Sequence, residues 1–203
     1  PLAGSPRARD SDFVYWIRKV DCVNPTLTRY RCQCVQHTRT PLTAHGAGQW
    51  SPRVITTVLF DLGGVVCRYH PTVRLALFAV DSGLEPDEVH RRVWASSLAL
   101  DFEIGRYTTA EWSDLVRETL GLRMNAERFL EVMLTALTID PDVLALVDQV
   151  RPRVRTAMLT DNPPLLLEAL PTHFPEIAPR FDPFLISCEL GLLKPSREIF
   201  EAA

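Results

Sequence analysis

The run from Val54 to Val66, V-I-T-T-V-L-F-D-L-G-G-V-V, limits what this chain can become more than any other stretch. Its β-branched and aromatic residues lead straight into Asp61, and Gly63 and Gly64 follow, which reads as a buried strand delivering one carboxylate to a tight turn. In an open α/β sheet, ligands bind at the carboxyl ends of the strands. Asp61 is therefore the first candidate for chemistry.

A chain of 203 residues can bury a sizeable core, and one domain, or one domain with an insertion, is the expected organisation. A hydrophobic content of 46% with 23% charged residues is ordinary for a globular protein. The net charge of -3 gives no electrostatic basis for a nucleic-acid partner. No apolar run approaches the roughly 20 residues of a membrane span, and no leader with a cleavage site is visible, so the expectation is a soluble, cytoplasmic protein. The five cysteines, Cys22, Cys32, Cys34, Cys67 and Cys188, are odd in number and read as reduced thiols. Cys32 and Cys34 with His37 and His45 do not have the spacing of a zinc site.

Charge divides the chain. Residues 1–52 hold seven Arg or Lys against three Asp, a balance of +4, and the remaining 15 basic and 22 acidic residues give -7. The leading segment is rich in Arg, Thr and Pro, and it has no sustained period apart from the apolar patch Phe13 to Ile17. Residues 1–53 are accordingly expected to be a disordered extension, with a basic tail for an acidic partner as the alternative reading.

From Pro71 to Val150 the pattern is one of consecutive amphipathic helices. Pro71 and Pro86 mark helix starts, Thr108 and Glu111 have capping-box spacing, Gly121 is a stop, and Asp140-Pro141 opens another helix. The apolar faces of these helices read as core packing. A second strand, Val154 to Leu159, ends in Thr160-Asp161-Asn162, and a helix opens at Pro163-Pro164. A third strand at Phe184 to Ser187 leads through a loop to Lys194-Pro195 and a final helix. This alternation predicts a Rossmann-like parallel α/β core with an inserted helical cap. The core would comprise residues 54–70 and 151–203, and the cap residues 71–150.

Asp61, Thr160 and Lys194 each fall just past a strand, and a parallel sheet brings such distant residues to one edge. A carboxylate, a hydroxyl beside a helix N-terminus and an ammonium in one pocket suit a phosphate or another anion, so the expected partner is a small anionic molecule. Each residue also has a plainer reading. Asp61 could end a turn, Thr160, Asp161 and Asn162 could be caps, and Lys194 could be a solvated charge.

Taken together, F-D-L-G-G-V-V at Phe60 to Val66, M-L-T-D-N at Met158 to Asn162 and G-L-L-K-P-S at Gly191 to Ser196 resemble the motifs of the haloacid dehalogenase-like hydrolase superfamily. F-E-I-G-R-Y-T-T-A-E-W at Phe102 to Trp112 is similar to a recurrent cap sequence of that superfamily, and the likeness covers about Val54 to Ala203. The resemblance implies a nucleophilic Asp61 that forms an aspartyl-phosphate on a small-molecule phosphate ester. It also implies phosphate binding by Thr160, Asp161 and Lys194, and Mg²⁺ held by the Asp61 carboxylate and the Gly63 carbonyl.

Two departures bear on this. Most phosphatases of the superfamily carry a second aspartate where Gly63 stands, and glycine cannot transfer a proton. The superfamily's fourth motif, an acidic pair after one more strand, does not occur before Ala203, so the chain is expected to be truncated ahead of it, with a core incomplete at its C-terminus. Three readings follow: an Mg²⁺-dependent phosphomonoester hydrolase, a metal-independent 2-haloacid dehalogenase, and a catalytically incomplete fragment.

Overall fold

The computed structural model describes residues 55–203 throughout and, before them, the backbone of two strands, β1 (Phe13–Val20) and β2 (Arg29–Val35). Cys32, Cys34, His37 and His45 lie outside the residues whose side chains are described. After β3 (Ile55–Phe60) come the short β4 (Cys67–Tyr69) and five helices: α1 (Pro71–Ser82), α2 (Pro86–Val93), α3 (Ser97–Glu103), α4 (Thr109–Leu120) and α5 (Ala126–Leu134). Then follow β5 (Leu137–Ile139), α6 (Pro141–Val150), β6 (Arg155–Thr160), α7 (Pro164–His173), β7 (Phe184–Ile186), α8 (Ser187–Leu190) and α9 (Arg197–Glu201).

The main sheet has the order β2-β1-β3-β6-β7. β1, β3, β6 and β7 run parallel, and β2 pairs antiparallel with β1. The α/β class with a parallel sheet is as the alternation of elements predicts. β1 and β2 fall within residues 1–53, the segment read as a disordered extension. The physical basis is in the sequence: the aromatic and β-branched patch at Phe13 to Ile17 pairs along β3, from Phe13 beside Ile55 to Ile17 beside Phe60.

Two clusters divide the apolar interior. The sheet-side cluster joins Phe60, Leu62, Val66 and Met158 to Leu166 and Leu170 of α7 and to Ile186. The helical cluster gathers Phe78, Val89, Val93, Phe102, Trp112, Val116 and Phe129, with Phe102 and Trp112 stacked at 4.3 Å between ring centroids. Helix α6 sends Val143, Leu144 and Val147 into the sheet-side cluster. By packing, then, the helical unit closes with α5, ahead of the boundary at residue 150 that its helical period suggests. The β4–β5 ribbon marks the crossing, with Cys67 beside Ile139, Tyr69 beside Leu137, and Arg68 Nε donating to Asp140 at 3.0 Å.

Local signals account for the helix ends. Thr108 accepts from the Glu111 N–H at 3.3 Å, and Glu111 Oε2 accepts from the Thr108 N–H at 2.9 Å, so the capping box forms as its spacing predicts. Asn125 and Asp140 cap α5 and α6 through their side chains, and Gly83 and Gly121 end α1 and α4 in the left-handed region. No helix among the described residues is long and apolar enough to cross a membrane.

Candidate active site

The turn after β3 explains the two glycines separately. Gly64 has φ +77°, a conformation that costs a side-chain-bearing residue about 1 kcal/mol or more, and its N–H donates to the Cys67 carbonyl at 2.7 Å. Gly63 lacks a positive φ, and a Cβ added there would meet nothing within 4 Å. One glycine thus serves the backbone, and the other leaves open space beside Asp61.

That space belongs to a cavity of about 470 Å³ between the strand ends and the helical unit, a size suited to an organic molecule rather than a bare ion. Asp61, Gly63, Asp161 and Lys194 line one side of it. Lys194 Nζ lies 2.8 Å from Asp61 Oδ2, with their side chains only 8% and 18% exposed, and it also donates to the Leu159 carbonyl at 3.1 Å. Asp61 Oδ1 accepts from the Leu62 N–H at 2.8 Å. Asp161 Oδ1 accepts from the Lys194 backbone N–H at 3.2 Å; burial raises its carboxyl above the ordinary range, with Lys194 opposing and Asp61 adding to the rise.

Thr160 is placed otherwise. It is fully buried, and its hydroxyl accepts from Asn162 Nδ2 at 2.6 Å, while the Asn162 N–H donates to Ser187 Oγ at 2.9 Å. Helix α7 also offers an anion fewer donors than its position suggests, because Pro163 and Pro164 at its start have no N–H. Positive charge at this edge therefore rests mainly on Lys194.

The opposite wall comes from the helical unit and holds residues that the motifs do not mark. Arg74 of α1 is 8% exposed, its guanidinium lies 4.3 Å from the Trp94 ring centroid, and its Nη2 donates to the Tyr69 hydroxyl at 2.8 Å. Burial lowers its pKa from the ordinary arginine value. Glu103, at the end of α3, has its carboxyl pushed up to about 7, first by burial and then by Asp161. Phe102-Glu103 falls in the cap sequence quoted above, which was the available signal for Glu103. For Arg74 the sequence offers only an arginine within an apolar helix. Arg106 pairs with Asp101 at 2.5 Å and is largely exposed, so it takes no part in this wall.

Two contacts hold the walls in register. Ser187 Oγ donates to the Glu103 carbonyl at 2.6 Å, and Thr109 Oγ1 donates to Glu168 of α7 at 2.8 Å. Gly105, at φ +75°, approaches α8 so closely that a Cβ would lie 2.2 Å from the Cys188 carbonyl oxygen.

As a cation site, the described residues offer no cluster of three or more His, Cys, Asp or Glu ligands. They do offer the Asp61 carboxylate and the Gly63 carbonyl on one cavity wall, with the Asp161 carboxylate near enough to feel the charge of Asp61. Such a donor set suits a hard cation that keeps most of its waters, as Mg²⁺ does, and does not suit an all-protein cage. Cys67 and Cys188 are poor ligands or nucleophiles, since burial pushes their thiols up to about 12 and about 11.

Among solved structures, the chain is similar to a predicted HAD-like family hydrolase from Porphyromonas gingivalis, with 24% identity, a TM-score of 0.64, and 73% of this chain and 74% of that one covered. It is also similar to a HAD family enzyme from Bacteroides thetaiotaomicron in complex with magnesium and inorganic phosphate, with 22% identity, a TM-score of 0.65, and 73% and 77% covered. At these identities the likeness is one of fold. No curated protein matches the chain. A family model does match, over residues 55–203, the same stretch that carries the strand-end aspartate, the lysine and the helical insertion, and the chain belongs to the haloacid dehalogenase-like hydrolase family.

Proposed function

We propose that this hydrolase cleaves small-molecule phosphate monoesters with Mg²⁺, through a covalent phosphate on Asp61. The observation that carries the reading is the Lys194 ammonium at 2.8 Å from the Asp61 carboxylate, inside a cavity large enough for an organic ester. A solved structure of the same fold holding magnesium and inorganic phosphate is consistent with that ligand class.

In this reading an Asp61 oxygen attacks phosphorus, the bond from phosphorus to the ester oxygen breaks, and the departing oxygen takes a proton from water. A second water then attacks the phosphoryl group, which frees Asp61 and releases inorganic phosphate and a proton. Lys194 holds the carboxylate by its contact and the Leu159 carbonyl, and it presents positive charge to the phosphoryl oxygens. Bound at Asp61 and the Gly63 carbonyl, Mg²⁺ would supply the charge that offsets repulsion between the carboxylate and the phosphate. Thr160 acts from behind, by holding Asn162 at the start of α7.

Phosphate release from 4-nitrophenyl phosphate tests this directly. The expected result is turnover that requires Mg²⁺ and is abolished in Asp61→Asn. Halide release from 2-chloropropionate without metal would instead favour the dehalogenase reading. The absence of both activities would leave a chain that binds anions without turning them over.

A further inference from the structure

The wall opposite Lys194 contains a charged group whose hydrogen bonding is unfinished. Arg74 is more than nine-tenths buried and lines the cavity, yet its Nε has no hydrogen-bond partner among the described residues. A buried N–H without an acceptor is costly, and a buried guanidinium without a counter-charge is costlier. Its neighbours orient it without neutralising it: Trp94 lies under the guanidinium plane, and the Tyr69 hydroxyl accepts from Nη2. Glu103 acts on it electrostatically, but burial favours the neutral form of that carboxyl. The group that would complete Arg74 is an anion brought in by the ligand.

We propose that Arg74 is a substrate-binding residue whose guanidinium holds a second anionic oxygen group, a carboxylate or a further phosphate, on the leaving-group portion of the ester. The inference rests on the reading that the ester phosphate sits at Asp61 and Lys194. The two anionic ends of such a substrate meet the cavity's two cationic side chains, Lys194 from the sheet and Arg74 from the helical unit. The same cavity is lined by Trp94, Phe102 and Trp112, whose aromatic surface suits an aryl or alkyl spacer better than a polyhydroxylated one. Guanidinium binds carboxylate and phosphate oxygens through its planar fork of N–H donors.

The test uses the full chain and two non-hydrolysable probes, benzylphosphonate and 4-carboxybenzylphosphonate, titrated by calorimetry with Mg²⁺ present. The added carboxylate is expected to tighten binding by about tenfold or more, the usual worth of one charge-assisted hydrogen bond. In Arg74→Ala the ratio of the two affinities should fall close to one, and in Arg74→Lys it should recover in part. Equal binding of the two probes by the wild-type protein overturns the inference without any variant having to fold. A preference that persists in Arg74→Ala overturns it as well. The outcome is separable from the proposed reaction: a carboxylate preference lost in Arg74→Ala, in a protein that releases no phosphate from any ester, supports the anion site and removes the phosphatase reading. Turnover of 4-nitrophenyl phosphate with no carboxylate preference does the reverse.

Discussion

The two walls of the cavity follow different rules. On the sheet side the polar groups satisfy one another: Lys194 with Asp61 and the Leu159 carbonyl, Asp161 with the Lys194 N–H, Thr160 with Asn162, and Asn162 with Ser187. On the helical side the charges sit beside aromatic rings, with Arg74 lacking an acceptor at Nε among the described residues and Glu103 driven toward neutrality by burial. A self-satisfied wall is organised before any ligand arrives, which favours a fixed chemistry. An unsatisfied wall is completed by the ligand, which favours selection among ligands.

Removing the lysine tests the first half of that contrast most severely. Lys194→Met takes away the ammonium and strands Asp61 at the buried strand end, so kcat for phosphate release should fall by about 10²–10³. Steady-state assays at saturating Mg²⁺ measure it. A loss smaller than tenfold would mean that the pair serves folding alone, and the sheet wall would lose its claim to chemistry.

Register between the walls is the next point of attack. Gly105→Ala puts a methyl 2.2 Å from the Cys188 carbonyl oxygen, a backbone atom that cannot rotate away, at a φ of +75° that L-residues avoid. Overpacking and backbone strain together should cost about 3 kcal/mol, or roughly 6–12 °C in Tm for a chain this long. Differential scanning calorimetry reads the shift, and an unchanged Tm would show that α8 and the helical unit are not in firm contact.

Much of the sheet wall was legible beforehand because it is written locally. A β-branched run, an aspartate and two glycines specify a strand and its turn, and the rule that parallel strands end on one edge brings Lys194 to Asp61 across the sequence. The capping signals were equally local. The helical wall was not legible, because the state of Arg74 depends on partners elsewhere in the chain. Trp94 reaches it only after α1 and α2 pack, and the burial of Glu103 depends on α3 meeting α8. Strand β1 shows the same limit: Phe13 to Ile17 is a short apolar patch until β3, some forty residues on, gives it an edge to join. Helix α6 has the same period as the cap helices, and only its packing assigns it to the sheet.

The helical wall's ionisation can be tested through stability. The Glu103 carboxyl is raised from 4.5 to about 7, so the folded state holds its proton over a pH range where the unfolded chain has released it. The stability tied to that proton is fully present below about pH 4.5 and is lost as pH rises through about 7. Glu103→Gln, which keeps the shape and cannot ionise, should match the wild type near pH 4. At pH 8 it should exceed the wild type by on the order of 2 kcal/mol, a figure already reduced for the partial exposure of the carboxyl. Urea titrations at the two pH values make the comparison, and a pH-independent difference would show that Glu103 ionises freely.

The smallest expected effect addresses the one opening in the sheet wall. Gly63 borders the cavity, a Cβ there meets nothing within 4 Å, and its backbone does not need glycine, so Gly63→Asp should fold normally. If esters are cleaved at Asp61, a carboxyl at this place can protonate the departing oxygen, a role that glycine leaves to water. The same open space leaves the new side chain without neighbours to fix its rotamer, so the gain should be about tenfold, below the 10²–10⁴ of a well-placed acid. The gain should appear for alkyl phosphates, whose leaving oxygen needs the proton, and nearly vanish for 4-nitrophenyl phosphate, whose leaving group does not. An equal effect on both esters would mean that the new charge acts by perturbing Asp61 and Asp161. No effect on either would mean that bond cleavage to the leaving group is not the slow step at this wall.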